Sequence, residues 1–257
     1  MTIEKNKPDL VISYLVMRKA IGWLGMLLPF TLLIGNYLIN QLNILNNNFF
    51  VCTKCFPGYH PDHSFKSSIS HYYYTTVGEL FTGILSAVAL FLFCYKGHKL
   101  RLNENGPSDN ALANLAGFFA LGVILFPTGS DVCIHDNMRS FLSSRNTGSI
   151  HLIMAALFFF SLALMSIVNF RRTEKVGMYG KNKDDNFYLV CGFAMIICLL
   201  LIATYSIWLI DKNIGWLDAI HPVFCLEAIA LIFFGLSWLT KGKADMYYLP
   251  KKLKLIK

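Results

Sequence analysis

Two carboxylates, Glu79 and Glu227, and three histidines, His71, His151 and His221, stand inside or at the edge of long apolar runs. An acid within a membrane is costly and normally faces a protein interior or a water-filled space. The stretch "SISHYYYTTVGELFTG" places His71 eight residues before Glu79, about 12 Å along a helix that carries both. His221 precedes Glu227 by six residues, about 9 Å on the same rise. His151 opens another apolar run, and Tyr74 lies about one turn above Glu79, in reach of a hydrogen bond to it. Glu79, Glu227, His151, His221 and Tyr74 therefore form a candidate ligand-binding set: a few polar groups against an apolar wall. The competing reading is an acid that is hydrogen-bonded, or even protonated, and locks neighbouring helices together.

A second constellation has the chemistry of a metal site. "HPDH" brings His60, Asp62 and His63 into one short stretch. Pro61 keeps that stretch from being one helical face, so a turn would have to converge the imidazoles. With His71, Asp131 and His135 it offers the nitrogen and oxygen ligands that suit zinc, leaving a position for water. Metal-activated water, with Glu79 or Glu227 moving protons, would make a lipid or amide hydrolase. The same residues also suit an ordinary solvated loop. Cys52 and Cys55 in "CTKC" and Cys133 leave three arrangements open: a bridge within the pair, a bridge to Cys133, or a thiolate zinc site. Ser68 and Ser70 adjoin His71 without a strand–nucleophile–helix motif. No phosphate-cradling loop, haem-attachment motif or flavin fingerprint is present.

The elements that must position these groups are membrane helices. Of the 257 residues, 55% are hydrophobic and only 15% charged, too few charges for a chain whose surface faces water. The apolar runs at about 20–40, 75–95, 111–127, 150–170, 187–210 and 219–239 approach the roughly 20 residues that cross a bilayer as helix. Continuous runs of this kind lack the alternation of a barrel. The expected fold is all-α: one transmembrane domain over residues 1–257, a polytopic membrane helical bundle of six transmembrane helices.

Lysine and arginine supply the orientation. All but five of the 23 (Lys54, Lys66, Arg139, Arg145 and Lys212) fall at the termini or in alternate loops. The positive-inside tendency then puts both termini in the cytoplasm, in a bacterial inner membrane or another cellular membrane. The net charge of +8 follows from this topology and from attraction to anionic headgroups, so membrane lipids are the expected partners and nucleic acid is not. Of the seven histidines, only His98 belongs to the basic side. Tyr72, Tyr73 and Tyr74 read as an aromatic belt at headgroup level. Gly83, Gly117 and Gly122 read as points of close helix contact. Asp109 or Asn110 is placed to cap the third helix.

The chain resembles the six-span membrane family of the damage-regulated autophagy modulators. The resemblance rests on "SISHYYYTTVGELFTG", on "FPT" closing the third run, on "IHLIMAALFFFSLAL" and on "VFCLEAIALIFFG". It implies a six-helix fold and outer-half polar positions at Ser70, Tyr72 to Tyr74, His151 and Glu227, and it implies no reaction. A fainter similarity is to membrane hydrolases such as the alkaline ceramidases, which pair histidines four residues apart. Here His221 is followed four residues later by Cys225. The leading expectation is an integral membrane protein whose outward polar cavity binds a lipid headgroup or small amphiphile. The alternatives are a zinc-dependent hydrolase and a small-molecule or proton-coupled transporter.

Overall fold

The computed structural model describes residues 7–41, 65–75, 77–97, 106–128, 147–171, 183–209, 212, 215 and 219–252. Among them are six long helices: α1 (Lys7–Gln41), α2 (Gly78–Cys94), α3 (Asp109–Leu125), α4 (Thr147–Leu164), α5 (Lys183–Thr204) and α6 (Pro222–Lys252). A short 3₁₀ helix, Ile69–Tyr74, precedes α2, and single π turns extend α4 over Met165–Asn169 and α5 over Tyr205–Leu209. The all-α expectation holds.

Local chemistry sets several boundaries. Ser108 caps α3, its hydroxyl oxygen accepting from the Ala111 N–H at 3.1 Å. The expected cap, Asp109, lies instead in the first turn and is buried. Pro222 opens α6, where its missing N–H costs nothing. His221 before it takes a left-handed conformation, φ 50, a strained position for a residue with a Cβ. Helix α1 begins well before residue 20, since no helix breaker separates the stretch before Arg18 from the apolar run. Pro29 lies inside α1 without ending it.

Each helix packs on its neighbours in chain order, and α6 returns to pack on α1, which closes a ring. Neighbours run antiparallel: a Cβ on Gly22 would meet Gly235 and Leu239, while one on Gly242 would meet Lys19 and Arg18. The α1–α6 crossing brings two backbones together. A Cβ on Gly22 would lie 2.9 Å from the Gly235 carbonyl, and one on Gly235 would lie 2.6 Å from the Gly22 carbonyl. Only glycine at both positions lets these backbones touch. Gly117 and Gly122 also sit at close contacts, as expected, but Gly83 faces open space.

The interior is filled by large side chains, with Leu92, Tyr95, Leu162, Met165, Phe170, Met195, Phe234 and Trp238 almost wholly enclosed. The outer faces remain apolar. Trp23, Leu27, Phe30 and Ile34 form an exposed stripe at three- and four-residue intervals on α1, and Val190, Phe193, Ile197 and Leu200 do so on α5. Exposed apolar stripes on helices that are themselves apolar suit hydrocarbon, not water. Among the described residues, four stretches are long and apolar enough to cross a membrane: Leu15–Ile39, Thr147–Asn169, Asn186–Leu209 and Pro222–Gly242. Gly78–Cys94 and Asp109–Leu125 are apolar but shorter. At 17 residues each, they span about 25 Å. The chain is a polytopic, mostly helical integral membrane protein.

Candidate functional site

The segment 65–75 is the organising element of one end of the bundle. Ser68 caps its 3₁₀ helix, accepting from the Ser70 N–H at 3.2 Å. The Ser68 hydroxyl donates to the Glu227 carboxylate, 2.9 Å from Oε2 and 3.1 Å from Oε1. The Ile69 N–H donates to the same Oε2 at 2.7 Å. One turn earlier on α6, the Phe224 N–H donates to the Ser67 carbonyl at 3.0 Å. That bond satisfies one of the orphan donors of a helix start. Rings complete the seam: Phe65 lies 4.5 Å from Phe224 and 5.0 Å from His221 between centroids.

The other side of the segment reaches the chain just after α3. The Tyr74 hydroxyl donates to the Thr128 carbonyl at 2.6 Å. His151, 2% exposed at the start of α4, points Nδ1 at the Phe126 carbonyl (2.7 Å) and the Val123 carbonyl (3.1 Å). With two acceptors on that side, a neutral ring carries its proton on Nδ1 and leaves Nε2 as an acceptor. His71 Nδ1 is 2.8 Å from the Ser67 hydroxyl. The segment thus carries His71 and Tyr74 and binds Glu227, at the end of the bundle where His151 opens α4.

Several expectations change. Residues 71 and 79 do not share a helix: the 3₁₀ helix ends at Tyr74 and α2 begins at Gly78. Glu79 lies in the first turn of α2 with its side chain exposed, not turned into the bundle. The tyrosines form no belt. Tyr72 and Tyr73 are 1% and 8% exposed, because a 3₁₀ turn capping the bundle carries them inward. Burial raises the Tyr72 phenol above its ordinary pKa and keeps it neutral. His221 is half-buried against Phe65.

His60, His63, Asp131, His135, Cys52, Cys55 and Cys133 lie outside the described residues. Among the described residues, no three histidine, cysteine or acidic side chains gather closely enough to hold a metal ion. Cys191 and Cys198 are buried, as expected of small apolar fillers. Cys94 is exposed at the end of α2, and the Cys225 thiol, half-buried, donates to the Ile220 carbonyl at 3.3 Å.

Residue typing missed a second polar cluster at the opposite end. Arg18 donates to the Tyr95 hydroxyl at 3.0 Å, which donates to Asp109 Oδ2 at 3.3 Å. Asn169 donates to Asp109 Oδ1 at 2.8 Å. Tyr95 after α2 and Asn169 at the end of the π turn of α4 thus meet on the carboxylate at the start of α3, and Arg18 of α1 joins through Tyr95. The available signal was an arginine, an acid and an asparagine abutting apolar runs whose ends come together in an antiparallel ring.

Compared with known proteins, the chain matches no family model, no curated protein and no solved structure. What defines its class is the helical bundle itself, apolar inside and outside, with at least four helices able to cross a membrane.

Proposed function

We propose that this is a non-catalytic membrane protein that binds a lipid headgroup or small amphiphile at its Glu227 end. One observation carries the reading. The segment 65–75 carries an imidazole and a phenol and binds the Glu227 carboxylate, at the end of an otherwise apolar bundle where the His151 imidazole is buried. Such a set orients a polar head while the surrounding helices accept an acyl chain. His71 is half-buried and Ser67 exposed, so the cluster can be reached from that end. Six crossings with both termini cytoplasmic, and kinship with the autophagy-modulator family, belong to the same proposal. The crossings and their orientation are supported by the ring of six helices and by the alternating distribution of lysine and arginine, and the kinship rests on the sequence motifs alone.

The test is native mass spectrometry of the gently solubilised full chain. Lipid or amphiphile should co-purify with the wild type, and a His71→Ala, His151→Gln double variant that keeps its fold should lose it. Equal retention by both would overturn the reading.

A further inference from the structure

The end opposite Glu227 holds a second site, independent of the proposal above. Arg18 and Lys241 are 4% and 8% exposed there, beside Asp109 at 2%. The Arg18 guanidinium carbon lies 5.1 Å from the Tyr95 ring centre, and the Lys241 ammonium donates to the Phe170 carbonyl at 3.2 Å. Phe170 and Tyr95 both pack edge-on to Trp238, with centroids 5.2 and 4.9 Å away. These contacts bring α1, α2, α4 and α6 together around the Trp238 indole.

Trp238 is fully enclosed, yet its Nε1–H meets no acceptor among the described residues. The Nε–H of Arg171, the residue after Phe170, is also buried without one. Folded proteins leave few buried donors unmet, because each costs about 1–3 kcal/mol. Two such donors at the end of the bundle that also buries Arg18 and Lys241 are complementary to an anionic oxygen. Asn169 adds a condition. Its amide nitrogen faces Asp109 Oδ1 and the Pro107 carbonyl, which fixes the flip, and its Oδ1 is buried with no donor. A group that satisfies all three must accept from Trp238 and Arg171 and also bring a hydroxyl. A phosphate ester of glycerol or another polyol does both, and a halide does not.

We propose that the Arg18–Trp238 end of the bundle binds a hydroxyl-bearing phosphate headgroup, with Trp238 and Arg171 donating to the phosphate and Asn169 accepting from the hydroxyl. The chemistry is common to an anionic phospholipid and to a soluble phosphate ester. Basic pockets between membrane helices on the side rich in lysine and arginine are suited to the former.

The experiment uses the full chain in phosphatidylcholine nanodiscs, with and without phosphatidylglycerol, and reads bound lipid by mass spectrometry together with thermal stability. A parallel arm adds glycerol 1-phosphate to protein in detergent. Wild type should retain phosphatidylglycerol over phosphatidylcholine. Trp238→Phe, which removes the indole N–H together with part of the ring system, should weaken that retention about tenfold, the worth of one hydrogen bond to a charged group. Arg171→Gln provides the same test should the tryptophan variant fail to fold, and Lys96→Gln, at an exposed position, should leave binding unchanged. Stabilisation by glycerol 1-phosphate, lost in Trp238→Phe, would support the site with a soluble source. Equal retention of the two lipids by wild type with no effect of glycerol 1-phosphate, or binding unchanged in both variants, would overturn it.

Discussion

Glu227 and Ser68, 159 residues apart in the chain, meet through a bond in which one hydroxyl approaches both carboxylate oxygens, at 2.9 and 3.1 Å. The neighbouring Ile69 N–H reaches the same carboxylate at 2.7 Å. An acid in an apolar helix is stable here because its oxygens receive donors that the 3₁₀ turn would otherwise leave unmet.

Removing that acceptor should loosen the segment. Glu227→Leu leaves the Ser68 hydroxyl and Ile69 N–H without it, at a cost of about 1–3 kcal/mol. Ser68→Ala should cost less, about 1 kcal/mol, because Ile69 keeps its bond. Thermal unfolding in detergent measures both. The seam is unimportant to stability if Glu227→Leu melts with the wild type.

At the other end, Tyr95 links Arg18 to Asp109. Tyr95→Phe keeps the ring on Trp238 and deletes both bonds, so it should lose about 1–2 kcal/mol. Asp109→Leu removes the buried carboxylate from beside Arg18 and should lose about 3–5 kcal/mol. A double-mutant cycle between Tyr95→Phe and Asp109→Leu should give non-additive losses, since they share one bond. Additive losses would refute the link.

The α1–α6 crossing gives a steric prediction. Gly235→Leu, which puts a Cβ against the Gly22 carbonyl, should destabilise the bundle by about 1–3 kcal/mol or prevent folding. Gly83→Leu, which meets nothing within 4 Å, should leave the yield of monodisperse protein unchanged. Size-exclusion profiles compare the two; equal behaviour would contradict the close crossing.

Leu200 on α5 is 62% exposed. If this face meets hydrocarbon, Leu200→Arg should raise the cost of inserting α5 by about 3 kcal/mol, whereas Leu200→Phe should be neutral. Glycosylation-mapped insertion of α5 in its native context reads the difference. Indifference to arginine would mean that this face meets protein or water.

Much of the architecture was legible in residue types alone. A run such as Asn186–Leu209 has so few polar groups that only helix in an apolar medium satisfies its backbone. Glu227 and His151 were legible as interior polar groups for the same reason: placing them in an apolar run costs too much unless something answers them. Glu79 looked equivalent, because a helix drawn through residues 71–79 carries it inward. The break between Tyr74 and Gly78 rotates it to the surface and takes Tyr72 and Tyr73 inside.

What composition and spacing determined by themselves is a chain of apolar helices with polar groups at their ends, since the energy of transfer from water depends on residue type and run length alone. Which polar groups meet was decided only by the tertiary structure. The Glu227–Ser68 bond and the Arg18–Tyr95–Asp109–Asn169 cluster each join residues far apart in the chain. Hydrogen bonds act over about 3 Å, so their partners follow from how the ring of helices closes and not from any local pattern.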